Sequence, residues 1–223
     1  MPALKGSLVD FKAGNGKGHG YLSLPKTSRG GVLVLHAWWG LNDFFKAFCD
    51  RLAQEGFTAL APDLRQGKIA HTFDEAKAML SSANEEETFP PVVLGGLDHL
   101  MSTSKGHAFG VVGFSMGAAW ALWLSTKRPS EINRVVTFYG TYPIDFSSSQ
   151  ASYLGHYSPE DEWEPITEVR KLEEKIREAK RPLQFQVYPG TKHWFFEEDR
   201  PEYNSQAARL AWTRTLDFLQ TTH

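Results

Sequence analysis

Short, unbroken apolar runs constrain this chain more than any other feature. Gly31-Val32-Leu33-Val34-Leu35-His36, Phe57-Thr58-Ala59-Leu60-Ala61, His107 to Phe114 and Val135-Val136-Thr137-Phe138-Tyr139 carry no polar alternation. Such runs suit strands buried on both faces of a sheet. The segments between them have helical spacing. Asp43 to Glu55 sets Phe44, Phe45, Phe48 and Leu52 on one face and is followed by Gly56, a helix stop. Val92 to Ser102 turns Leu94, Leu97, Leu100 and Met101 inward, and Gly117 to Thr126 is strongly apolar. Glu164 to Ala179 is charged but keeps Ile166, Val169, Leu172 and Ile176 on one stripe. Leu183 to Tyr188 reads as the last strand and residues 203–220 as the closing helix. Alternation of this kind predicts an α/β fold: a doubly wound, mostly parallel sheet with helices on both faces, in one domain over residues 1–223.

The remaining segments are less regular. Residues 7–12 and 20–24 read as two strands, joined by a turn through the glycine-rich stretch Gly14 to Gly20. Thr72 to Ser81 reads as a short helix. Another opens at Glu85 to Glu87, and Pro90-Pro91 breaks or begins a helix. Ser152 to His156 reads as a short strand after a Ser- and Thr-rich loop.

Charge and cysteine usage exclude several functions. The net charge is −2, so no nucleic acid or anionic membrane is expected as a partner. Cys49 is the only cysteine, which rules out an internal disulfide and fits a reducing compartment. Met1 to Gly6 lacks a signal-peptide apolar region, and no run is long enough to span a membrane, so a cytoplasmic location is expected. No H-E-x-x-H or paired His/Cys spacing is present, so neither a metal nor another cofactor is expected.

Gly113-Phe114-Ser115-Met116-Gly117 carries the chemistry. It follows a buried strand and opens an apolar helix, in the G-x-S-x-G spacing of a nucleophile elbow. The glycines remove side chains that would clash at so tight a turn. The helix N-terminus then favours negative charge developing beside the serine. A serine hydroxyl needs a base. His193 stands in the loop after the last strand, Pro189-Gly190-Thr191-Lys192-His193-Trp194. The base needs an acid to hold its tautomer. Glu160, Asp161, Glu162 and Glu164 all occupy the preceding loop, and their spacing does not choose among them; a charge at a helix N-terminus is the ordinary role for Glu164. Two backbone N–H groups are expected to form an oxyanion hole, from Met116 and from Trp38 in the His36 to Gly40 loop. Trp39 and Trp194 are expected at a substrate pocket with His36, although a strand-end histidine held by backbone is the commoner role for His36.

With these residues in view, the chain resembles the dienelactone hydrolase family over nearly its whole length. The resemblance rests on H-A-W-W-G-L-N at 36–42, A-P-D-L at 61–64, G-F-S-M-G at 113–117 and F-Y-G at 138–140. It continues through L-G-H-Y-S-P-E-D-E-W-E-P at 154–165 and Y-P-G-T-K-H-W-F-F at 188–196. It implies the α/β-hydrolase fold, a small-molecule ester or lactone as substrate, and Asp161 as the acid. The chain also departs from the family pattern. Ser115 stands where founding members have a nucleophilic cysteine, and Ala37 where they have a glutamate. Both changes fit a hydroxyl activated by His193. Glu197 stands four residues after His193, where the family's arginine holds a substrate carboxylate, so an anionic lactone is not the expected substrate. A serine hydrolase of carboxylic esters or lactones, acting as monomer or homodimer, is the leading expectation. A thioesterase or other acyl hydrolase, and a non-catalytic ligand-binding protein, are the alternatives.

Overall fold

The computed structural model describes residues 4–82, 84–104 and 109–221. The chain divides between Phe109 and Gly110 into two compact units, and each layers helices on both faces of its strands. In the first, Ser7–Ala13 (β1), Gly16–Ser23 (β2), Gly31–Leu35 (β3) and Thr58–Pro62 (β4) run in the order β1-β2-β4-β3. β1/β2 and β2/β4 pair antiparallel, and β3/β4 pair parallel. Strand side chains alternate between faces, which separates the helices. On one face Tyr21 and Ser23 meet Asp50 of Asp43–Gln54 (α1). On the other, Phe11, paired in register with Gly18, stacks on His99 of Glu85–Thr103 (α3). Phe73–Ser82 (α2) lies between β4 and α3 in the chain.

The second unit contains all but the first residue of Phe109–Phe114 (β5), then Met116–Lys127 (α4), Ile132–Phe138 (β6), Ser152–Tyr157 (β7), Ile166–Glu178 (α5), Leu183–Val187 (β8) and Ser205–Gln220 (α6). The strand order is β5-β6-β7-β8, with β6, β7 and β8 parallel. Ser125 of α4 hydrogen-bonds the Tyr153 hydroxyl at 2.8 Å, while Thr215 of α6 meets His156 Nε2 at 3.0 Å. Tyr153 and His156 are three residues apart on β7, so α4 and α6 cover opposite faces. His156 is fully buried, and burial pushes its pKa down to about 3, so it packs as a neutral ring. α5 buries Val169, Leu172 and Ile176 of the expected stripe, whereas Ile166, its first residue, is only half-buried. Parallel pairing brings the C-terminal ends of β6, β7 and β8 to one side. The loops after those ends carry the residues discussed below.

The structure corrects several expected boundaries. The glycine-rich stretch is not one long turn. Ala13 pairs with Gly16, which leaves Gly14-Asn15 as the turn and puts Gly16 to Gly20 in β2. Gly18 is needed for close approach: a Cβ there would lie 2.3 Å from the Phe11 ring. The two helices expected either side of Pro90-Pro91 are one, α3. Those prolines withhold N–H groups from the carbonyls of Glu86 and Glu87, which lie in an exposed first turn where water replaces the missing donors. α5 starts at Ile166, after Pro165 at its N-cap, so Glu164 stands outside the helix. Of the strand expected at His107 to Phe114, residues 107 and 108 lie outside the described residues. Among the described residues no helix is long and apolar enough to cross a membrane.

The buried Asp50 carboxylate gathers four donors: the Lys5 and Gly6 N–H groups and the Tyr21 and Ser23 hydroxyls. Replacing it leaves buried donors without acceptors. Asp50→Ala is therefore expected to lower stability by about 2–3 kcal/mol, read as a lower urea midpoint with an unchanged m-value.

Candidate active site

Ser115 sits between β5 and α4 with φ 50° and ψ −118°, a conformation that ordinary side chains avoid. Two glycines make room for it. A Cβ on Gly113 would fall 2.3 Å from the Gly117 oxygen, and one on Gly140 would fall 2.4 Å from the Ser115 oxygen. The Ser115 N–H donates to the Phe138 oxygen at 2.9 Å, which ties the elbow to the end of β6. The serine side chain stays half-buried, and Met116 follows as the first residue of α4.

A hydrogen-bonded relay leads away from it. His193 Nε2 lies 2.9 Å from Ser115 Oγ, and His193 Nδ1 lies 2.7 Å from Asp161 Oδ2. A carboxylate only accepts, so Nδ1–H is the donor to Asp161 and Nε2 is left to accept the serine proton. Asp161 Oδ1 accepts the N–H groups of Trp163 and Glu164 at 2.9 and 2.8 Å, which fixes the carboxylate's orientation. Asp161 and His193 are both buried. The other three acids expected in that loop do not join the relay. Glu160 and Glu162 are exposed. Glu164 accepts from the Thr141 N–H and hydroxyl, and burial raises its pKa. The two loops are also pinned to each other: Ser158 donates to the Thr191 oxygen, and the Thr191 hydroxyl donates to the Tyr188 oxygen at 2.7 Å.

Aromatic rings enclose the histidine. The Trp194 ring stands edge-on to it at 4.5 Å and the Tyr139 ring lies at 4.9 Å. Trp163 lies 5.7 Å from Trp194 and is 54% exposed, which makes it the accessible aromatic beside the relay. Trp163 follows Asp161 by two positions, but nothing in its spacing marks it for this place. Tyr139 carries no sequence signal either; its hydroxyl donates to Glu197 Oε1 at 2.7 Å.

Glu197 itself requires a correction. The expectation that it repels an anionic substrate needs a charged, accessible group. Instead it is completely buried, and burial pushes its pKa up to about 8, so the carboxyl is mostly protonated at neutral pH. Buried and mostly neutral, it does not present the exposed charge that such repulsion requires.

In the first unit, His36 is also fully buried. Its Nε2 accepts the Leu64 N–H at 3.0 Å, and its Nδ1 donates to the Ala37 oxygen at 2.7 Å. Both ring nitrogens are thus held by backbone, and burial lowers the ring's pKa. This is a structural histidine, not the pocket residue expected as one reading of the sequence. Trp38 and Trp39 pack edge-on at 5.3 Å, both buried, and both meet Phe73 of α2. Among the described residues no group of three or more His, Cys, Asp or Glu side chains gathers to hold a metal ion.

Comparison with known proteins agrees with the expected resemblance. Residues 19–223 match the model of the dienelactone hydrolase family. The protein usf of Aquifex pyrophilus is 30% identical over 96% of this chain and 98% of its own length. A dienelactone-hydrolase-like promiscuous phosphotriesterase from metagenomic libraries superposes with a TM-score of 0.85 at 22% identity, covering 96% of this chain and 97% of that one. A dienelactone hydrolase from Anabaena variabilis superposes with a TM-score of 0.72 at 20% identity, covering 96% of each chain. These structures share the α/β-hydrolase fold with the chain.

The raised pKa of Glu197 makes a signed prediction about stability. Between about pH 4.5 and about pH 8 the folded state holds a proton that the unfolded chain has released. Stability contributed by the neutral carboxyl is complete below that window and is lost as pH rises through it. Urea midpoints at both ends of the window should show a decline in wild type that is smaller in Glu197→Gln. Equal declines would mean that Glu197 ionises normally.

Proposed function

The chain belongs to the dienelactone hydrolase family of hydrolases, and from that premise we propose that it is a serine-dependent hydrolase of carboxylic esters or lactones, working through an acyl-enzyme on Ser115. The observation that supports this reading best is the unbroken relay of 2.9 Å from Ser115 Oγ to His193 Nε2 and 2.7 Å from His193 Nδ1 to Asp161 Oδ2. On this reading Asp161 holds the tautomer that leaves Nε2 able to accept a proton.

The cycle follows from those contacts. Ser115 Oγ attacks the substrate carbonyl carbon as His193 Nε2 takes the hydroxyl proton. The tetrahedral oxyanion is held by the Met116 N–H at the start of α4, where the helix terminus favours negative charge. Collapse breaks the carbonyl carbon–alkoxy bond, and His193 returns the proton to the departing alcohol. A water then gives its proton to His193 and its oxygen to the acyl carbon. The carboxylic acid leaves, and Ser115 recovers its proton.

Serine in place of the family's cysteine supports this scheme. A hydroxyl is inert until a base takes its proton, and His193 is within reach. The aromatic surroundings of His193 favour uncharged, apolar or aromatic esters, and Trp163 is placed to contact them. No metal or other cofactor enters the scheme.

Hydrolysis of a short p-nitrophenyl ester by wild type and Ser115→Ala tests the assignment. The variant should lose roughly 10³–10⁶ in kcat with the fold intact, as deletions of such groups usually do. Equal rates for the two proteins would refute the serine mechanism. Trp163→Ala should raise KM for aromatic esters by several-fold while leaving kcat nearly unchanged. No change in KM would remove Trp163 from the substrate surface.

A further inference from the structure

Glu197 is costly where it stands. It is fully buried, one oxygen accepts from Tyr139, and Oε2 makes no hydrogen bond. An apolar residue or an amide of the same size avoids most of the cost of burying a carboxyl. Among the described residues its one side-chain hydrogen bond runs to Tyr139, which is itself buried completely and lies against the His193 ring. Tyr139 also occupies a left-handed backbone conformation, φ 39°, one residue before Gly140 at the serine elbow. Backbone of that kind persists where its surroundings over-determine it. The contacts form one continuous path, from the Glu197 carboxyl to the Tyr139 hydroxyl and through the Tyr139 ring to His193.

We propose that Glu197 and Tyr139 form a positioning pair beneath His193, with Glu197 anchoring the tyrosine hydroxyl and the tyrosine ring keeping the imidazole aligned on Ser115. The proposal rests on the reading of Ser115, His193 and Asp161 as the reacting groups. Neither member of the pair touches substrate; both act through His193. The pair works with Glu197 neutral. Asp199 and Glu202 oppose its ionisation, Arg200 and the Tyr139 hydroxyl favour it, and burial outweighs both. Burial likewise keeps Tyr139 protonated, with Asp199 and Asp161 adding to it. Once Glu197 ionises, a charge sits in a dry site, and the 193–200 segment must shift to hydrate it. That shift passes through Tyr139 to His193.

The test compares Tyr139→Phe, Glu197→Ala and Glu197→Gln, using pH profiles of ester hydrolysis. Glu197→Ala should lower kcat by about tenfold to a hundredfold, since small misplacements of a base are that costly, with KM nearly unchanged. Tyr139→Phe keeps the ring and loses the anchor, and should fall between Glu197→Ala and wild type. Glu197→Gln keeps a neutral partner for the tyrosine and should restore most of kcat. Wild-type kcat/KM should also fall above about pH 8 as the carboxyl ionises, and Glu197→Gln should abolish that fall. A purely structural role would lower stability and leave the profile in place. Identical profiles for wild type and Glu197→Gln would overturn the proposal. So would a Glu197→Ala enzyme with wild-type kcat. If Glu197→Ala does not fold, the other two variants decide.

A second readout needs no turnover. The downfield proton resonance of His193 Nδ1–H, in its bond to Asp161, should move through about pH 8 in wild type and stay fixed in Glu197→Gln. A resonance that behaves alike in both overturns the pair. Persistent activity in Ser115→Ala instead overturns the serine reading, so the two failures are separable.

Discussion

The backbone at Ser115 is the constraint on which the site depends. A serine at φ 50° and ψ −118° costs about 1–3 kcal/mol, the usual range for such conformations. The cost is tolerated because Gly113 and Gly140 clear the space around it and the Phe138 carbonyl accepts its N–H. The same turn ends a buried strand, starts an apolar helix and projects the serine oxygen toward His193. Among the described residues, Tyr139 and Trp194 also hold non-glycine positive φ, at 39° and 61°, and both rings pack on that histidine. Ser115, Tyr139 and Trp194 are thus three of the five non-glycine residues with positive φ among the described residues, Gln66 and Lys180 being the others, and all three lie in contact with His193.

Two buried acids serve the site, one inside the relay and one beside it, and their surroundings give them different duties. Asp161 accepts from two backbone N–H groups and from His193, so its negative charge is compensated on every side. Glu197 accepts one neutral hydroxyl bond in a fully buried position, and burial keeps its proton on. The two carboxyls differ in the donors that reach them: three for Asp161, one for Glu197. The orienting acid hydrogen-bonds the imidazole directly, while the neutral acid reaches it only through the Tyr139 ring.

Much of this was legible in the sequence, for a physical reason. Apolar runs buried on both faces have no polar residues to disguise them, so β3, β4, β5 and β6 could be placed from composition alone. The elbow was legible because its glycines answer a steric demand at fixed spacing. The α5 stripe was legible because Val169, Leu172 and Ile176 sit at helical intervals. Other features depend on contacts distant in sequence. Gly18 looks like a turn residue until Phe11 is seen across the strand pair. Pro90 and Pro91 look like helix breakers until the exposed first turn of α3 is seen to absorb them. Glu197 invites a reading as a surface charge, and only its complete burial against Tyr139 removes that reading. Spacing alone also left four acids open for one role. The hydrogen bonds of Asp161 set it apart, because it alone of the four reaches His193.

The central claim is covalent: Ser115 carries the acyl group during turnover. Wild-type protein mixed with excess p-nitrophenyl ester, acid-quenched within the first turnovers and analysed by peptide mass spectrometry, tests it directly. The account predicts an acyl adduct on the peptide containing Ser115. Steady hydrolysis with no adduct, or with the acyl group on another residue, would contradict it.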